Sequence, residues 1–120
     1  MATMNIIKPE IFDVEIGGRE YTIEFNRNAI KTADQMGVLQ MESQLKQLEI
    51  ILFVGLQKHK PDITPSLAKK ILNTAIGEGD EVGEYAISDF APITDEFIRW
   101  VKAVFGGEGQ KKIVSRSQAN

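Results

Sequence analysis

The chain contains one histidine, His59, and that residue is the natural candidate for a general base. Such a base needs partners within hydrogen-bond reach that orient the ring and share its charge. No serine, cysteine or carboxylate stands at a spacing from His59 that would obviously provide one. The role expected of it is a cation in the last turn of a helix when protonated, worth about 0.3–1 kcal/mol. The acidic stretch Gly77–Glu84 (GEGDEVGE) is the second place where chemistry could reside. A calcium-binding loop would need Asp-x-Asp-x-Asp-Gly with a glutamate at its twelfth position, and that alternation is absent. Its glycines are also wrongly placed to cradle a phosphate, so the stretch reads as a solvated linker. There is no cysteine, which excludes disulfides and thiolate metal sites. The expectation is a protein that is not an enzyme, with no catalytic residue, no cofactor and no metal.

Lys58, Lys60, Lys69 and Lys70 form a modest basic patch around a helix–turn–helix outline. The connection His59–Pro65 is longer than the three- to four-residue turn of DNA-binding examples. The following helix opens with Pro65–Ser66–Leu67, where a recognition helix would present base-contacting side chains. A net charge of −3 also works against sequence-independent binding to phosphates. A small regulatory nucleic-acid-binding protein therefore stands as the alternative reading, and a solvated helix face as the ordinary one.

The elements that carry these residues follow from periodicity. Phe12, Val14 and Ile16 alternate with acidic residues, as do Tyr21, Ile23 and Phe25 with Thr22 and Glu24. Period two with one apolar face describes half-buried strands, and Gly17–Gly18 suits a two-residue hairpin turn. That turn sets Val14 opposite Tyr21 and Phe12 opposite Ile23, leaving Asp13, Glu15, Glu20 and Glu24 on the outer face. Asn26 can cap a helix over about Arg27–Met36 that Gly37 ends. A second helix is predicted from Met41 to Lys58, stopped by Pro61. Thr64–Pro65 restarts a third, a hydroxyl cap followed by proline at the first helical position, and Gly77 closes it. The last helix is predicted to start at Thr94 and to bury Phe97, Ile98, Val101, Val104 and Phe105, with Trp100 at the edge.

The middle of the second helix is apolar on every side. Leu45, Leu48, Leu52 and Leu56 form one stripe, and Ile50, Phe53 and Val54 lie opposite. Either a central helix is buried all round, or the second face is kept for a partner, a client helix or another subunit. Trp100 is the next candidate for contact, since aromatics often anchor interfaces. A chain of 120 residues, 42% hydrophobic and 26% charged, fits one α+β domain over residues 1–106: a β-hairpin packed on about four helices. Residues 107–120 are polar and read as a flexible tail. No secretory signal is visible, and the longest apolar run, Ile50–Leu56, falls short of the about 20 residues a bilayer requires. The cytoplasm is the expected compartment.

Two segments carry a family resemblance. Gly17–Gly37 (GGREYTIEFNRNAIKTADQMG) couples a hairpin to a capped helix, and Leu52–Leu72 (LFVGLQKHKPDITPSLAKKIL) gives helix, proline break and Thr–Pro restart. Together they resemble the small tail assembly chaperones of long-tailed bacteriophages and prophages of Gram-positive bacteria, over about residues 11–105. The resemblance implies a chaperone that coats the tape measure protein in the bacterial host cytoplasm before the tail tube polymerises, with the tail tube protein as a further partner. It also implies absence from the mature virion, and a longer form of the protein made by frameshifting. A structural tail component retained in the virion is a further alternative.

Overall fold

A computed structural model describes residues 7–106, and the expected tail, residues 107–120, lies outside the described residues. The fold is α+β, a two-stranded antiparallel hairpin followed by four α-helices. Strand β1 covers Phe12–Ile16 and β2 covers Arg19–Ile23. Their register pairs Phe12 with Ile23 and Val14 with Tyr21, as the turn length requires. Gly17 and Gly18 make that turn with φ of 59° and 76°, a conformation other residues adopt only at a cost.

Helix α1 (Arg27–Gln35) starts where the Asn26 side chain accepts from the Ala29 N–H at 2.8 Å. Its Ala29, Ile30 and Ala33 face inward. Helix α2 begins later than its apolar pattern suggests, at Gln44, and ends at Leu56. Ser43 supplies the cap, and a short 3₁₀ turn (Val38–Gln40) takes up the chain before it. Gln47 holds that turn from inside the helix, its amide donating to the Met41 carbonyl at 2.7 Å. Helix α3 (Pro65–Ile76) opens as predicted: the Thr64 hydroxyl accepts from the Leu67 N–H, and proline occupies the first turn.

Helix α4 runs over Ala91–Phe105, four residues earlier than a Thr94 cap would place it. A 3₁₀ turn at Ile87–Phe90 feeds it directly, with the Asp89 carboxylate accepting from the Ala86 N–H at 2.8 Å. Pro92 falls in the first turn, where no backbone N–H is needed, so it starts the helix without breaking it. The preceding acidic segment is tied down by its backbone. Gly83 and Tyr85 donate to the Ile76 and Ala75 carbonyls at 3.0 Å each, satisfying the open end of α3.

The core closes around α2, where every residue from Ile50 to Leu56 is buried. The hairpin packs on α2 and α3, while α1 packs on α2 and α4. Phe25 and Phe97 meet edge to face, with ring centroids 5.6 Å apart. The hairpin side of the core comes close to the α2 backbone at Gly55. A methyl group there would lie 2.7 Å from Ile23 Cγ2 and 2.9 Å from Phe25 Cε1, both on fully buried side chains. Helix propensity alone makes Gly→Ala favourable by about 1 kcal/mol. Gly55→Ala is nevertheless expected to destabilise the fold by about 1–3 kcal/mol, because the neighbours have no room to yield. Urea unfolding of the variant beside the parent checks the sign.

Candidate functional site

The expected interaction face of α2 is not on the surface. Ile50 and Phe53 are each 8% exposed and Val54 1%. The hairpin, α1, α3 and α4 surround this helix, so the apolar girdle serves the domain's own core. Lys46, on the same side, stays solvated because it belongs to the first turn, outside the buried stretch.

Two acidic side chains are buried among the described residues, Glu24 and Glu96. Glu24 was expected on the outer face of the hairpin. Ladder pairing ends at Ile23, however, and the chain then runs across α2. The Glu24 N–H donates to the Gly55 carbonyl at 2.9 Å, one of the carbonyls that a helix C-terminus leaves open. This approach buries Ile23, Glu24 and Phe25 in succession and overrides the alternation. The Glu24 carboxylate then meets Lys58 Nζ and, at 2.9 Å, His59 Nε2. His59 therefore has the carboxylate partner that no local spacing revealed, because it lies 35 residues away in sequence.

Lys58 and His59 both follow the C-terminal end of α2, where a positive charge such as that of Lys58 is favoured. Hydrogen bonds from Lys58 and then His59 hold the Glu24 carboxyl below its ordinary value, against burial, which raises it. The shallow cleft beside His59 contains Thr22, whose hydroxyl donates to Asp13 Oδ1 at 2.8 Å. No serine or cysteine lines that cleft, and the arrangement acts as a clamp between strand exit and helix end.

Glu96 is the second hub. It faces inward at 3% exposure. Arg99 Nε donates to its Oε1 at 2.7 Å. Its Oε2 accepts from Arg99 Nη2 at 2.8 Å, the Glu10 N–H at 3.0 Å and Trp100 Nε1 at 3.1 Å. Arg99 also reaches the Lys8 carbonyl at 2.7 Å, so this one carboxylate fastens the incoming chain to α4. Burial raises the Glu96 carboxyl, but the Arg99 and Glu10 hydrogen bonds outweigh it and the net shift is downward. Glu96 in turn raises the Arg99 guanidinium. Trp100 is half-buried, and its indole N–H is spent within the domain.

Of the exposed large apolar residues among those described, Ile11, Leu39 and Val82 are scattered along the chain, while two share helix α4. Ile93 and Phe97 are buried, yet Ile98 is 43% and Phe105 51% exposed, against the stripe predicted from sequence. No residue after Phe97 in this helix is fully buried. Trp100, Val101 and Val104 are half-covered, so the last two turns project beyond the core.

The remaining candidates have simple surroundings. Among the described residues no group of three or more His, Cys, Asp or Glu side chains could hold a metal. Glu78 of the acidic segment accepts from the Asn73 side chain at 2.7 Å. In the basic patch Lys58 is paired with Glu24 and Lys60 lies 3.6 Å from Asp62, which leaves Lys69 and Lys70 as its exposed charge on α3. No helix among the described residues is long and apolar enough to cross a membrane.

Phe53→Ala is expected to cost about 3–5 kcal/mol in denaturant unfolding, the range for a buried aromatic. For Glu24 and Glu96 the folded chain binds protons more weakly than the unfolded chain. Their contribution is therefore complete above the ordinary value of 4.5 and is lost as pH falls below it. Thermal melting of Glu24→Gln and Glu96→Gln should show lower stability at neutral pH and a shallower decline on acidification than the parent. No protein-family model matches this chain, and no curated protein or solved structure matches it.

Proposed function

We propose that this protein is a tail assembly chaperone of the long-tailed bacteriophage type. In this reading it binds the tape measure protein and shields its apolar helical segments in the host cytoplasm until the tube assembles around it, and is then released. The observation that supports this reading is the outward face of α4. A helix that buries Ile93 and Phe97 against the core continues for two more turns, presenting Ile98 and Phe105 with Val101 beside them. Such a face suits an amphipathic client helix, whose apolar residues would complete the burial. Singly, exposed apolar residues are ordinary; aligned on one face of a projecting helix they form a continuous contact. Many such weak contacts along one long client add through avidity, so the individual site need not bind tightly.

The test is co-expression with helical fragments of a phage tape measure protein. Ile98→Asp and Phe105→Asp are expected to abolish co-purification. The far-UV circular dichroism melt should shift by no more than a few degrees, because both side chains are already half in water. Undiminished co-purification of both variants would refute this surface as the client site.

A further inference from the structure

The outward face of α4 carries a pattern that goes beyond apolarity. Ala91, Thr94, Ile98, Val101 and Phe105 are spaced alternately by three and four residues, the a and d positions of a heptad. Asp95 and Lys102 flank this seam at equivalent positions one heptad apart, and both are exposed. Laid antiparallel on a second α4, Ile98 meets Val101 of the second copy and Thr94 meets its Phe105. In that arrangement each Asp95 approaches a Lys102, twice over by symmetry. A parallel arrangement would instead put the two copies of Asp95, and likewise of Lys102, on opposite edges of the seam, where neither charge meets its complement. The charge pattern is therefore self-complementary in one orientation only, which is the requirement for a two-fold, isologous interface.

We infer that in the absence of a client a second copy of this chain covers the seam, through an antiparallel α4–α4 contact. The occupant is a copy because the seam supplies its own complement, apolar layer against apolar layer and acid against base. Gly106, with φ of 90°, ends the helix just beyond Phe105, so the pairing covers Thr94 to Phe105 and leaves Ala91 outside it. Dimer and client would compete for the same residues, and the dimer keeps Ile98 and Phe105 out of water until a client displaces it. This inference uses the surface of the proposed function but does not depend on who the client is.

Sedimentation equilibrium of the full chain, from low micromolar to several hundred micromolar, tests it. The parent is expected to show a reversible monomer–dimer equilibrium. Lys102→Asp, which turns both cross-pairs into like charges, should weaken the dimer by roughly tenfold or more. The double variant Asp95→Lys/Lys102→Asp exchanges the partners and should restore association to near the parent level. All these positions are exposed, and circular dichroism verifies that each variant is folded. A parent that stays monomeric throughout would overturn the inference, as would association indifferent to Lys102→Asp or unrestored by the exchange. Each of those results leaves client co-purification as a separate outcome, so failure of the dimer and failure of the chaperone reading are told apart.

Discussion

The structure depends on the contact between the strand exit at Ile23–Phe25 and the backbone of α2 at Gly55. Three things occur there at once. A helix carbonyl that would lack an intrahelical partner receives the Glu24 N–H. Two large apolar side chains lie directly against helix backbone, which a side chain at position 55 would prevent. The hairpin, marginal by itself in water, is thereby fixed to the element around which all the others pack. Moving this contact outward by the thickness of a methyl group would loosen the hairpin, the α2 terminus and the Phe25–Phe97 pair together.

Electrostatics reinforces this geometry in places where burial alone would be unfavourable. A carboxylate removed from water costs free energy unless it is paired and fully hydrogen-bonded. Glu24 meets that condition through Lys58 and His59, and Glu96 through Arg99, Trp100 and the Glu10 amide. In both cases the cation remains partly solvated while the acid is inside, with side-chain exposures of 47% for Lys58 and 45% for Arg99. Each acid joins segments distant in sequence, so it contributes to which elements meet as well as to how firmly.

What could be read from the sequence was local. The hairpin register followed from two glycines and an alternation, and the starts of α1 and α3 from Asn26 and Thr64–Pro65. These features depend on interactions spanning a few residues. The burial of Glu24 is not legible because Lys58 and His59 lie 34 and 35 residues away, and nothing in a carboxylate's flanks records such a partner; Glu96 has Arg99 and Trp100 within one helical turn, but the Glu10 amide that it also holds is 86 residues away. The start of α4 is hard to read because its N-cap, Phe90, makes no side-chain capping bond, whereas Thr94 carries a capping hydroxyl that the helix does not use as its start. The choice between core and interface for Ile50, Phe53 and Val54 stays open in the sequence for a related reason. Apolar periodicity marks a face as apolar but not as covered: it could not show that the girdle of α2 is enclosed while the outer stripe of α4 is not.

The hydrogen bond from the Glu10 amide to Glu96 joins positions 86 residues apart, close to the two ends of the described domain. During synthesis this bond cannot form until nearly the whole domain has left the ribosome. The amide proton of Glu10 is thus an internal gauge of completion. Its exchange with solvent is blocked only while α4 is seated, so its protection reports how often that helix lifts from the rest, residue-specifically and without any added probe.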